Sequence, residues 1–124
     1  MSWTDEELAA IGDATELRIA SRRANGTLRQ YVTIWVVRSG DELYVRSAYG
    51  SGNPWFRRAV AAGTGRIQAG GVERDVTFTL ADPATGADLD RAYHTKYDSY
   101  GPAIVGTVVG EKAAPVTIRL EASA

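Results

Sequence analysis

The chain contains no cysteine. That removes structural disulfides, cysteine-based zinc sites, thiolate nucleophiles and iron–sulfur ligation in one step. Neither charge is in excess: 14 Lys and Arg stand against 15 Asp and Glu, mixed along the chain, for a net charge of −1. Non-specific nucleic-acid binding calls for a basic excess or stripe, so no nucleic-acid partner is expected. No apolar run approaches the ~20 residues that cross a bilayer. The segment Met1-Ser2-Trp3-Thr4-Asp5-Glu6-Glu7 has no basic region followed by an apolar stretch, so no secretory leader is expected. A single histidine, His94, sits among Tyr93, Thr95 and Lys96. Read alone it is an exposed or half-buried helix residue, with a catalytic base as the sharper alternative. These absences describe a soluble, cytoplasmic protein with no membrane partner and no metal site.

At 124 residues and 44% apolar content, the chain is long enough for one core, and residues 1–124 read as one domain. Thr4 and Glu7 form a capping box, with Trp3 and Leu8 in the positions of a hydrophobic staple, so a short helix is expected near residues 5–11, ended by Gly12. Leu17 and Ile19 alternate with Arg18 and Ala20 as in a half-buried strand. Asn25-Gly26 favours the positive φ values of a tight hairpin turn. Tyr31 to Val37 is apolar apart from Thr33, the pattern of a central strand covered on both faces. Leu43 to Ser47 reads as a third strand. A glycine-rich loop then leads to Pro54, which suits a helix start, and Trp55, Ala59 and Ala62 mark the inner face of that helix.

Two further strands are expected at Arg66–Ala69 and Val72–Leu80, joined at Gly70-Gly71. Leu89, Ala92, Tyr93 and Tyr97 stripe a helix running from about Asp88 to Tyr100. The stretch 103–114 matches neither period. Val116, Ile118 and Leu120 alternate as a last strand. Six strands and three short helices joined by tight turns give an α+β fold, mainly β, in which closure into a barrel removes exposed edges.

The chemistry concentrates between Leu43 and Arg58. A strand ends in Arg46-Ser47, a loop with Gly50 and Gly52 follows, and a helix begins near Pro54. Arg46 brings a planar donor fork, and the glycines let backbone N–H groups approach a ligand. The helix start favours an anion, with Arg57 and Arg58 adding charge. The spacing is neither a P-loop nor a dinucleotide fingerprint. On residues alone, a phosphate site and a solvated arginine loop are both open. Tyr93, Tyr97 and Tyr100 share a helix face, as core or as a substrate wall.

Arg46-Ser47, the glycine loop and Asn53-Pro54-Trp55-Phe56-Arg57 resemble the cofactor loop of the deazaflavin-dependent nitroreductase family. The order of elements is similar from about Leu17 to Leu120. The start Ser-Trp-Thr and the Tyr-x-x-Tyr-Gly ending look closer still to a small uncharacterised-domain branch of the same superfamily of flavin and deazaflavin oxidoreductases. Phe56-Arg57 stand where that family has Asn-Leu. The resemblance implies a six-stranded, FMN-binding-type split β-barrel with short flanking helices. It implies a deazaflavin cofactor, coenzyme F-420, with FMN or no cofactor as alternatives. By position, Arg46, Ser47, Tyr49, Gly50, Asn53, Trp55 and Arg57 would hold phosphate and tail, and Thr33 and Trp35 would lie near the ring. Tyr97 and Tyr100 would face a small-molecule substrate as catalytic residues, and a homodimer is open to a chain of this kind. The cofactor supplies hydride in such a protein, so no side-chain triad is expected. A binding module without turnover and a cofactor-independent lyase or isomerase stand as alternatives.

Overall fold

A computed structural model describes residues 3–123; Met1 and Ser2 of the opening segment lie outside the described residues. The first helix, α1 (Asp5–Asp13), starts as the capping box dictates. Glu7 N–H donates to Thr4 Oγ1 at 3.1 Å, and Thr4 N–H donates to Glu7 Oε1 at 3.0 Å. These bonds, led by the one from the Thr4 backbone, hold the Glu7 carboxyl below its usual range, and Arg74 closes on its other oxygen at 2.6 Å. Trp3 and Leu8 are buried together, and the Trp3 indole donates to Leu120 O at 2.9 Å.

Seven strands follow, one more than the sequence suggests. They are β1 (Leu17–Ser21), β2 (Val32–Ile34), β3 (Val37–Ser39) and β4 (Glu42–Arg46), then β5 (Thr64–Ala69), β6 (Val72–Leu80) and β7 (Thr117–Ala122). They form one sheet in the order β2-β1-β5-β6-β7-β4-β3, with every neighbouring pair antiparallel. The extra strand arises where a single central one is expected. The apolar run from Tyr31 to Val37 breaks at Trp35-Val36, and its halves become the two edges of the sheet. The run is not covered on both faces: Val32 and Thr33 are exposed, Ile34 and Trp35 half-buried, and only Val36 and Val37 are buried, because an edge strand has a neighbour on one side alone.

That break sets the architecture. Two residues separate Ile34, on one edge, from Val37, on the other, and such a link reaches only about 11 Å. The sheet must therefore curl until its edges nearly meet, as a split half-barrel. Its interior is filled by alternate residues of the strands, among them Leu17, Ile19, Leu43, Val45, Ile67, Val76, Phe78, Ile118 and Leu120, with Leu8 and Ile11 of α1 at one end. The odd and even residues of β4 divide between two layers: Leu43 and Val45 point in, while Tyr44 packs outside.

The outer layer is built on α3 (Gly86–Tyr97), whose stripe of Leu89, Tyr93 and Tyr97 is buried against Val37 and Tyr44. The helix stops at Tyr97, and Asp98–Tyr100 tighten into a 3-10 turn. A second helix, α2 (Pro54–Ala62), packs on β1, β5 and β6, turning Trp55, Phe56 and Ala59 inward and leaving Ala62 exposed. It ends at Gly63, whose φ of 73° is the left-handed stop that glycine favours. The stretch 103–114 carries a one-turn helix, α4 (Pro102–Val105), followed by turns.

The turn after β1 follows its own geometry. Only Gly26 takes a positive φ, 86°. Asn25 instead accepts the Thr27 N–H on its Oδ1 at 3.1 Å, an Asx-type turn rather than a paired positive-φ hairpin. Gly65 is required for a different reason: a Cβ there would lie 2.1 Å from Ala20 O and 2.8 Å from the Phe78 ring. Neither neighbour can retreat, one being backbone of the paired strand and the other core. Gly65→Ala is expected to lower the free energy of unfolding by about 2–3 kcal/mol, read by urea denaturation; a loss under half of that would mean the strand shifts freely.

Candidate functional site

The link between the edges makes the site. Trp35, held in the gap, stacks on Tyr97 with ring centroids 4.0 Å apart and planes 5° from parallel. Tyr97 is fixed in turn: its O–H lies 2.7 Å from Thr15 O, and it accepts the Val36 N–H at 3.2 Å. Burial pushes this phenol up to about 12, so it stays protonated. Lys96 Nζ donates to Val36 O at 2.7 Å, closing a clamp on the link. Tyr100 tilts against Trp35 at 5.4 Å and is 54% exposed.

On the other side of Trp35 opens a groove of about 320 Å³. Its apolar lining is Val32, Ile34, Trp35, Trp55, Ile104 and Val108. Thr33, Asn53 and Thr107 supply polar groups, and Tyr49 stands at its edge with 85% of its surface exposed. Tyr49 has a φ of 64°, the single non-glycine residue in the left-handed region among those described. That conformation costs on the order of 1–2 kcal/mol and is found where surrounding structure imposes it. Ser47 imposes part of it: buried, it donates from Oγ to Gly50 O at 2.6 Å and from its N–H to Val116 O at 3.1 Å. Gly50 takes up the reversal with a φ of 92°. The backbone N–H groups of Ser51 and Gly52 have no protein acceptor among the described residues.

Six of the residues singled out in the sequence thus meet at one groove: Thr33, Trp35, Arg46, Tyr49, Asn53 and Trp55. Ser47 and Gly50 shape the loop beside it. Tyr97 and Tyr100 lie behind Trp35. Arg57 does not line the groove and opens onto a neighbouring cleft. His94 is exposed on α3, with Nδ1 2.7 Å from Asp98 Oδ1, and is no part of the lining.

Arg46 reaches the groove wall with its side chain wholly enclosed. Its Nε donates to Thr117 Oγ1 at 3.0 Å, Nη1 to Asp90 Oδ1 at 2.5 Å and to Val108 O at 2.8 Å, and Nη2 to Gly86 O at 3.2 Å. Four of its five N–H donors are therefore spent inside the protein. Asp90 also accepts the Gly110 N–H at 3.1 Å. The arginine pins β4 to β7, to α3 and to the turn carrying Val108. Ile104, Thr107 and Val108 escape a reading of the sequence because the segment holding them has no period; Pro102 after Gly101 is the one signal of a helix start there.

Lys96 gives the clamp a pH signature. Half-burial lowers its ammonium to about 8, opposed by Asp13. Below that value folding carries the cost of a desolvated charge. As the pH rises through about 8 the folded chain releases the proton, while the unfolded chain keeps it until about 10.5, so stability rises across this window. After allowance for solvent contact, the native chain should gain on the order of 1–2 kcal/mol relative to Lys96→Met between about pH 7.5 and 9.5. Parallel stability profiles for the two proteins would show that Lys96 titrates as if in water.

Residues 7–120 match the model of a family described as an uncharacterized protein conserved in bacteria, DUF2255. The chain belongs to that family. No curated protein matches it in sequence. Among solved structures, one described as an F420 reductase aligns with a TM-score of 0.60 at 18% identity, covering 98% of this chain and 97% of the other. An FAD-binding protein from Mesorhizobium loti aligns with a TM-score of 0.58 at 18% identity, covering 100% of this chain and 93% of that one. A third, described as a domain-swapped dimer, has a TM-score of 0.66 at 16% identity and covers 88% and 81% of the two chains. At these identities the likeness is one of fold, and the fold shared by the DUF2255 chain is the split barrel. No helix among the described residues is long and apolar enough to cross a membrane.

Proposed function

We propose that the groove seats the ring of a flavin-type cofactor, coenzyme F-420 in first place and FMN in second, and that the protein is an oxidoreductase acting on a small organic substrate. The observation that carries this reading is a groove lined by both Trp35 and Trp55, backed by the Trp35–Tyr97 stack and carrying Thr33, Asn53 and Thr107 in its lining. Flat apolar walls with a few polar groups at the edge suit a planar heteroaromatic ring. The fit for a phosphate differs from the sequence expectation. Arg46 has one donor left, so the loop N–H groups of Ser51 and Gly52, with the first turn of α2, are the stronger anion holders.

When bound, the reduced cofactor supplies the hydride. The protein's residues orient it and keep water away. Trp35 and Trp55 fix the plane, Thr33 and Asn53 bond its polar edge, and Ser47 and Gly50 hold the loop. Arg46 acts as a positioning residue, and Tyr97 acts through Trp35. Tyr100, more than half exposed where it packs on Trp35, would orient substrate or donate a proton. A second copy of the chain would cover the exposed Val32, Tyr49, Tyr100 and Ile104 around the groove, and a similar structure is a domain-swapped dimer.

A second reading, a cofactor carrier without turnover, is favoured by one observation: the one histidine lies outside the groove lining. Turnover separates the two. Reduced F-420 or FMN is mixed with the protein and a panel of quinones and nitroaromatics, and the cofactor absorbance is followed. Catalysed reoxidation supports the oxidoreductase. Saturable binding without it supports the carrier, and turnover with no cofactor added supports a lyase or isomerase and defeats both.

A further inference from the structure

A cleft of about 390 Å³ opens where α1, β3 and α3 meet, and it shares no lining residue with the groove. Leu8, Val37 and Ala92 make its apolar lining, and its charged groups are Asp13 from α1, Arg38 from β3 and Lys96 from α3. The chain has two lysines against twelve arginines. Arginine serves even where a cation is wholly enclosed, as Arg46 is. Lysine differs from it in one chemical respect: its nitrogen can lose a proton inside a protein and become a nucleophile.

Lys96 is held in place for that change. Its Nζ donates to Val36 O at 2.7 Å and lies 5.1 Å from the centre of the Tyr97 ring. No carboxylate forms an ion pair with it among the described residues. Half-burial lowers its ammonium to about 8, and Asp13 opposes that shift only in part. Arg38, the other cation of the lining, spends Nε on Gly40 O and lies 4.0 Å from Asp41. The bond to Val36 O decides which electrophile suits the nitrogen. A neutral imine has no N–H and would abandon that carbonyl, while an iminium keeps the half-buried charge. An amide keeps one N–H for Val36 O and discards the charge, so both costs are avoided.

We infer that Lys96 is an acylation site: the cleft admits a short activated acyl group, carried as an acyl phosphate or an acyl thioester, and the lysine takes it. The lone pair of the neutral amine attacks the acyl carbon and the C–N bond forms. The bond from that carbon to the phosphate oxygen or the thioester sulfur breaks, and the leaving group departs with the electron pair. The surplus amine proton passes to solvent. Nothing is oxidised or reduced, and the methyl end of a short acyl chain meets Leu8, Val37 and Ala92. The groove and its ligand take no part, so the test is independent of the cofactor reading.

The test treats the full chain with acetyl phosphate and, separately, with the acetyl thioester of N-acetylcysteamine, and follows acetylation by peptide mass spectrometry. Lys112, the other lysine, is exposed on a turn and serves as the internal reference. The expected result is acetylation of Lys96 at least about tenfold faster than Lys112 with at least one donor near pH 8. Which donor reacts tells an acyl phosphate from a thioester. In concentrated urea the preference should vanish, because the fold creates it. Thr95→Leu, at an exposed position of the lining, narrows the cleft and should slow Lys96 several-fold while leaving Lys112 unchanged, with circular dichroism and a melting curve confirming the fold. Equal rates at the two lysines with both donors overturn the inference. So does a preference that survives in urea, or a Lys96 rate untouched by Thr95→Leu.

Discussion

Arg46→Met is expected to lower the free energy of unfolding by about 3 kcal/mol and the melting temperature by roughly 10 °C. The side chain is fully enclosed and ties four partners from β7, α3 and the Val108 turn. Its removal leaves the Asp90 carboxylate facing the gap and strips Val108 O of a donor, and both losses carry desolvation costs. Pairing it with Asp90→Leu should recover a large part of the loss, since the expensive state is one charge without the other. Bound ligand should be weakened only as the fold loosens, with Val108 and Ile104 drifting from the groove. A stable Arg46→Met protein with ligand affinity abolished would instead make the guanidinium a direct contact.

Trp35→Ala should act the opposite way, weakening cofactor binding by about 30-fold or more. Trp35 gives the ring its flat wall, and its other face is already fixed by Tyr97 at 4.0 Å. The affected residue is half-buried in a two-residue link, so the barrel interior is untouched and the fold should persist. Trp35→Phe should retain most of the affinity, because a smaller ring still stacks. Tyr97→Phe keeps the stack but loses the bonds to Thr15 O and Val36 N–H, and an intermediate loss is expected. Fluorescence titration of the three variants against F-420 and FMN gives the order. An unchanged affinity in Trp35→Ala would remove the ring from this wall.

What the residues announced in advance was what is local. The Thr4–Glu7 capping box, the Pro54 helix start and the stripe of Leu89, Tyr93 and Tyr97 each follow from neighbours within a few positions, and each is present. The split of Tyr31–Val37 into two edges depends on how five other strands close, which no window of seven residues contains. Arg46 looks like a ligand fork because its partners, Asp90, Val108 and Thr117, lie 44, 62 and 71 positions away. Trp35 and Trp55 sit 20 positions apart in sequence and come to line one groove through the curl of the sheet and the packing of α2.

The account stands or falls on occupancy of the groove. The most direct measurement is a thermal-shift and fluorescence titration of the native chain with F-420 and, separately, FMN, beside Trp35→Ala. A ligand that binds only the folded state raises its melting temperature with occupancy. The predicted result is a saturable rise with at least one cofactor that is lost in Trp35→Ala. Absence of any shift with either cofactor at high micromolar concentration, or a shift that survives intact in Trp35→Ala, would contradict it.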